Sequence, residues 1–479
     1  MRRQEGYLTV YLTLCLTLIL SIYLGMIEAA RRNGGKLEAA CASEIGLQSI
    51  LAEYHRELFH RYNMFAIDSS YGSEISGRRN TEAHLLYYIN NNLHVDNSAF
   101  TGGLVKDFFE LSAEDAALSG VSVLTDWNGA VFRECAIETV KEDYGLGFLE
   151  SIKDWMRVIE INGLEGMDVE SQKRQMVSNL ESYNGMEMQI SEEESVKVEV
   201  ENPSGYLDSK INKGILPMVI KDTDTISGKR VGVENLYTGR YASGCISSGN
   251  MAANSADDFV NRFLFQEYLL RYMSHYGENN KEGALEYQIE YLLAGKDSDV
   301  ENLKSVVNRL LAIREAANVL YLYSDREKRA EITIMAAAIC GIFSIPGLLQ
   351  VVEGIILLSW ASAESLYDIK TLLAGGRIPL IKNAASWHYS LENAIYGETT
   401  DWGAGGQGLS YEDYLRVLMM LTNLDTLTGR AMNMIEADIR RTPGNNFFRL
   451  DACYVKVEAE IRIKSSYGYE YKILRSGAY

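Results

Sequence analysis

Residues 7–27 read YLTVYLTLCLTLILSIYLGMI, twenty-one positions without a charged side chain or a proline. A helix rises about 1.5 Å per residue, so this run is about 30 Å long, enough to cross the hydrocarbon of a bilayer. Arg2 and Arg3 precede it, and Glu28, Arg31, Arg32 and Lys36 follow. Tyr7, Val10, Leu14, Leu18, Ile22, Gly25 and Ile27 are its expected lipid-facing positions. A cleaved secretory leader has an apolar region of about 7–15 residues and then small residues. Glu28-Ala29-Ala30-Arg31-Arg32 does not continue that way, so a retained anchor with membrane lipid as its partner is expected. Basic residues flank both ends and give no orientation. A large body behind one N-terminal anchor predicts a single-pass protein of the cell membrane with that body extracytoplasmic.

The rest of the chain is not membrane-like. Of 479 residues, 47% are apolar and 23% charged, which is enough apolar material for a sizeable core. A net charge of −19 repels phosphate, which excludes nucleic acid as a partner and argues against the body lying on anionic lipid. Only five prolines, with thirty tyrosines, fit a compact, helix-rich body. Cys15, Cys41, Cys135, Cys245, Cys340 and Cys453 form no CxxC pair, and buried free thiols are the expectation.

Helix-compatible sequence continues to residue 65, with Ile45, Ile50, Leu51, Leu58 and Phe59 on one partial face. One long helix is therefore expected to run from the membrane into the body. Weak alternation over residues 104–124 suggests strand, and Asp126 is placed to cap a helix reaching residue 144. Three glutamates at 192–194 precede alternating Val196, Val198 and Val200, an exposed strand or loop. Residues 203–254 are rich in Gly, Ser, Thr and Asn and read as an irregular insertion. Helical stretches follow, and the one over 297–324 places Leu303, Val306, Val307 and Leu310 on an apolar face.

Residues 332–352 form a second uncharged run of twenty-one, but Pro346 and Gly347 divide it. Proline removes a backbone donor and disfavours helix just before it, so each half is too short to span a membrane. A buried helical hairpin is expected. Ser410 followed by Asp413 has the form of a capping box. Near the end, Val455, Val457, Ala459, Ile461 and Ile463 alternate with Lys456, Glu458, Glu460, Arg462 and Lys464. That period of two marks a half-buried strand, which Gly468 turns into a hairpin. The predicted fold class is α+β, predominantly α-helical, with a transmembrane helix, a helical core and small β elements including the C-terminal hairpin. The expected division is an anchor (1–30), a membrane-proximal region (31–202), the insertion (203–254), a helical core with the buried hairpin (255–445) and the β-hairpin (446–479).

Patterns that carry chemistry are sparse. His55 and His60 are five apart, about 140° from a common direction on an ideal helix, whereas zinc-binding histidines four apart share a face. Gly403, Gly405 and Gly408 have GxGxxG spacing but lack the preceding buried strand that a dinucleotide site needs. No catalytic residue, metal or cofactor is predicted, and the protein reads as a non-enzyme. Glu353, Glu364 and Asp368 sit in apolar sequence near Trp360 and are the candidates for a cleft. Their competing reading is structural, as buried carboxylates paired with Arg or Lys.

Arg2-Arg3-Gln4-Glu5-Gly6-Tyr7-Leu8-Thr9-Val10-Tyr11, the apolar run, and Gly25-Met26-Ile27-Glu28-Ala29-Ala30-Arg31 together resemble the N-terminus of TadE/TadG-like minor pseudopilins. These belong to the tight-adherence branch of type IV pilus assembly. The resemblance implies a membrane-resting helix that packs into a pilus-like assembly, with Gly6, Glu28 and Arg31 as a leader or assembly motif. It also implies other pilus or envelope proteins as partners. Processed type IV pilins carry Glu five residues after the leader glycine, a position held here by Tyr11, which favours permanent anchoring over cleavage. Leu285-Glu286-Tyr287-Gln288-Ile289-Glu290-Tyr291 and Trp360-Ala361-Ser362-Ala363-Glu364-Ser365 are similar to a large domain-of-unknown-function family of Gram-positive anaerobes that accompanies such systems. The expected function is an anchored structural or assembly component of a Tad-like pilus or related envelope system. The alternative is an anchored extracytoplasmic ligand-binding protein or hydrolase with a carboxylate-lined cleft.

Overall fold

The first apolar run and the residues after it form one uninterrupted helix, α1, over Glu5–Leu51 in the computed structural model. The structure describes residues 5–94, 107–142, 146–189, 195–211, 214–252, 258–278, 282–341, 343, 345–397 and 406–479. Arg2 and Arg3, residue 104, the glutamates at 192–194 and the glycines at 403 and 405 lie outside them. Helix does not persist to residue 65. The chain turns after Leu51 and restarts as α2 (Arg56–Tyr62), with His55 as its cap: the ring Nδ1 accepts the Leu58 N–H at 3.1 Å. That bond satisfies one of the free donors that every helix start exposes.

The chain divides into two units. The first comprises Met1–Thr139, Asn235–Ser255 and Asp438–Tyr479. Its elements include α3 (Arg78–Leu93), β1 (Ile67–Asp68), β2 (Leu111–Val123), β3 (Cys453–Ser465) and β4 (Glu470–Ala478). The sheet is antiparallel, with β3 in the middle, β2 along one side and β1 and β4 along the other. The period of two is realised in β3: Val455, Val457, Ala459, Ile461 and Ile463 are buried, while Glu460, Arg462 and Lys464 are exposed. Ile461 lies between Ala116 of β2 and Ile473 of β4 and is fully buried, worth about 1.5–3 kcal/mol. This face joins Ala39, Ala42, Leu47 and Ile50 of α1 and Leu85 and Ile89 of α3 in one core.

Asp126 opens helix α4 (Asp126–Val140), but not as an ordinary cap. Its two carboxylate oxygens accept from Val123 N–H at 2.8 Å and Gly249 N–H at 2.7 Å. The next three residues are left-handed, with φ of 56° at Trp127, 55° at Asn128 and 76° at Gly129. A tertiary bond to a residue 123 positions away overrides the local cap.

The second unit comprises Val140–Glu234 and Ala256–Ala437. It holds α5 (Val169–Tyr183), α6 (Gly205–Ile211), α7 (Asp299–Ser324), α8 (Arg326–Cys340), α9 (Leu348–Leu373), α10 (Leu391–Tyr396) and α11 (Tyr411–Leu421). Helix α9 is long and apolar enough to cross a membrane, yet its most apolar window is 72% buried, and it packs against α5, α7 and α8. It is the core helix of this unit. Residues 332–352 do form a helix–turn–helix around Pro346 and Gly347, but burial is one-sided. In α8 the core takes Ile332, Ala336 and Cys340, whereas Ile334 is 71% exposed. The capping box is present in α11: Ser410 Oγ accepts the Asp413 N–H and the Asp413 carboxylate accepts the Ser410 N–H. Among the cysteines, Cys340 and Cys453 are buried, while Cys41 and Cys245 are exposed, which corrects the expectation of buried thiols throughout.

A side chain at position 46 tests the packing of α1 on α3. A Cβ on Gly46 would stand 2.5 Å from Ile89 Cγ1, so Gly46→Val overpacks this contact by about 1–3 kcal/mol. The thermal midpoint of the full chain in detergent should fall by several degrees. Gly25→Val, where a Cβ meets nothing within 4 Å, should leave it unchanged.

Candidate functional site

The surface of α1 changes character along its length. From Tyr7 to Ile22 the large apolar side chains are more than half exposed, Tyr7 reaching 80%, and they surround the helix with no polar face. Val10, Leu14 and Leu18 belong to this stretch, and Ile27, at 42%, closes it. The hydroxyls of Thr13 and Thr17 donate to the carbonyls of Val10 and Leu14, each at 2.9 Å, so these polar groups are satisfied inside the helix. A helix that is apolar all round suits a core or a bilayer, where polar groups must find partners within the protein.

Past Ile27 the helix meets the sheet. Gly6 belongs to the helical backbone at the start of α1, and Glu28 is exposed. The Arg31 guanidinium lies 4.0 Å over the Tyr467 ring, and Tyr471 donates its hydroxyl proton to the Arg32 carbonyl at 3.1 Å. Small residues at 35, 39, 42 and 46 then recur at helical spacing and form the docked stripe. At Gly34 a Cβ would come within 2.5 Å of the Phe109 ring, which explains the absence of a side chain there.

The candidate carboxylates divide. Glu353 is half-buried near the start of α9. Glu364 lies eleven residues further on, about 16 Å along the axis, so the two do not converge. Glu364 and Asp368 are both fully buried and meet two cations. Asp368 Oδ2 accepts from Arg314 Nε at 2.9 Å and from Asn318 Nδ2 at 3.1 Å. The Lys382 ammonium pairs with Asp368 Oδ1 at 2.5 Å and with Glu364 Oε1. Glu364 also accepts the backbone N–H groups of His388 at 2.8 Å and Tyr389 at 2.9 Å.

Arg314 in turn donates to the carbonyls of Pro379 at 3.0 Å and Leu380 at 2.7 Å and to the Tyr414 hydroxyl at 3.0 Å. Burial works against its charge, but Tyr414 and Asp368 hold the guanidinium pKa above its ordinary value. Two cations and two anions balance in a closed cluster that offers no open carboxylate pair. Trp360 borders it and is fully buried; its indole and that of Trp387 both donate to the Tyr389 carbonyl, at 3.0 and 2.9 Å. The ammonium of Lys328 covers both rings, 4.5 Å from Trp360 and 5.0 Å from Trp387.

The cations of this cluster were readable to different degrees. Arg314 continues the apolar stripe of Leu303, Val307 and Leu310, so its position faces the core; Lys382 follows Pro379, where no period exists. Beside Arg314, Glu315 is 5% exposed, and burial pushes its carboxyl up to about 7 against the attraction of Lys173. Lys173 is itself buried and pairs with Glu170 at 3.0 Å and Asp208 at 2.8 Å.

These features define an α+β protein whose N-terminal helix is apolar and exposed over one half and docked on a sheet over the other. Residues 192–465, more than half of the sequence, match a family of unknown function (DUF5702), and the chain belongs to that family. No curated protein and no solved structure matches it. The matched region contains the ion cluster and β3, while α1 lies before it.

Two measurements test these interior charges. Asp368→Asn leaves Arg314 and Lys382 with one carboxylate between them and should destabilise by about 3–5 kcal/mol, read as a large drop in the thermal midpoint. An unchanged midpoint would show that the cluster is not closed. Glu315 in the folded chain keeps its proton to about pH 7, whereas its ordinary value is 4.5. Its contribution is therefore complete below pH 4.5 and is lost as pH rises through 7. Glu315→Gln should be more stable relative to the parent at pH 7.5 than at pH 5; parallel profiles would refute this.

Proposed function

We propose that this protein is a single-pass, membrane-anchored, extracytoplasmic component of a tight-adherence-type pilus or a related envelope assembly. In this reading, residues 7–27 lie in the bilayer and the first unit packs on the continuation of the same helix. The observation that carries it is the unbroken helix α1, exposed and apolar in its first half and packed in its second. The likeness of residues 2–31 to TadE/TadG-like pseudopilins supplies the assembly. Arg31 and Arg32 would stand at the lipid boundary, where long basic side chains reach polar headgroups. The enclosed pairs at Glu364 and Asp368 give the cleft-bearing hydrolase no support.

Alkaline carbonate extraction of native membranes tests the anchor. The parent should stay in the pellet with residues 1–6 retained by intact mass. Leu14→Arg with Leu18→Arg adds about 5–7 kcal/mol to insertion and should move the protein to the soluble fraction. Release of the parent by carbonate would overturn the anchor, and a mass lacking residues 1–6 would overturn the uncleaved leader. Crosslinking in the same membranes should recover pilus or secretion-platform proteins; their absence would overturn the assembly role.

A further inference from the structure

Helix α8 has an apolar face that the core does not use. Ile332, Ala336 and Cys340, four residues apart, form the buried stripe. Ile334, Met335 and Ala338 instead floor an open groove of about 870 Å³. Helix α10 forms another wall, contributing Ile395 and the 62% exposed ring of Tyr396. Tyr206, on α6, also lines it.

The rim is of one sign. Glu199, Glu201, Glu331 and Glu392 line the groove, all four are exposed, and no Lys, Arg or His joins them. None of the four forms an ion pair among the described residues. An apolar patch rimmed by charge is the common form of an interaction site. Single-sign rims select partners of the opposite sign and speed their arrival. The floor and the α10 wall are helices whose backbone bonds are internal, so those two sides offer an added strand nothing to pair with. A helical segment satisfies its own backbone and needs only side-chain contacts.

We propose that this groove docks a cationic amphipathic helix from a partner protein. The apolar stripe of that helix would lie on Ile334, Met335 and Ala338 and against Tyr396, with Lys or Arg on its flanks meeting the four glutamates. A second copy of this chain, with a net charge of −19, is a poor occupant of an acidic groove. The groove lies wholly within the residues matched to the family, and the proposal does not depend on how α1 is used.

The test uses the full chain in detergent micelles and a fluorescein-labelled 18-residue leucine–lysine amphipathic helix. Fluorescence anisotropy should show saturable binding that weakens tenfold or more in Glu331→Lys with Glu392→Lys, and similarly in Ile334→Ser. The same peptide with glutamate for lysine should not bind. Hydrogen exchange of the unaltered protein should slow in α8 and α10 on peptide addition, a readout independent of whether the variants fold. Equal binding of the acidic peptide, unchanged affinity in correctly folded variants, or no protection in α8 would overturn the proposal. So would complete displacement by spermine, which would reduce the groove to a site for small cations.

Discussion

One helix must satisfy two sets of rules, and the first unit depends on that constraint. Backbone hydrogen bonding runs from Glu5 to Leu51 without a break, so the two halves can differ only in their side chains. The first half carries large apolar groups on every side and keeps its threonine hydroxyls bonded internally. The second half replaces bulk with small residues on one face, which lets α3 and the sheet come close enough to bury Ile461, Ile89 and Leu47 together. Packing at this density tolerates little extra volume.

The second unit is organised by charges rather than by size alone. Arg314 on α7 and Asp368 on α9 form a pair that reaches the 379–380 segment and α11 through carbonyls and the Tyr414 hydroxyl. Such a pair adds little net stability over a well-packed apolar substitute, because desolvating both ions costs nearly as much as their attraction returns. Its effect is on uniqueness. Any register of α9 against α7 that separates the partners leaves an uncompensated charge in the core, and that penalty is large.

How much of this could be read beforehand depends on the range of the deciding contact. The terminal hairpin was legible because each residue of β3 states its own side through a period of two. Pairing of β3 with β2 was not, since Val121 meets Val457 only through the fold. The capping box at Ser410 was legible because both partners lie within three residues. Asp126 misled for the opposite reason: its carboxylate is claimed by Gly249. Hydrophobicity located α8 and α9 but could not tell a core-facing isoleucine from Ile334, because both look alike until neighbours are assigned. Glu364 and Asp368 were recognisable as unusual, and their partners only partly so.

The two glycines where α1 leaves its apolar half bear on the order of events during synthesis. Each weakens an isolated helix by about 1 kcal/mol relative to alanine, and the loss is offset by rings that fit over them, Phe109 at Gly34 and Tyr471 at Gly35. Tyr471 belongs to β4, which follows α1 by more than four hundred residues in the chain. Until that strand is in place, Gly35 lacks the ring of Tyr471 that packs on it, and the helix is locally weakened there. Close packing at Gly35 then waits for β4, made long after the helix, to fold over it.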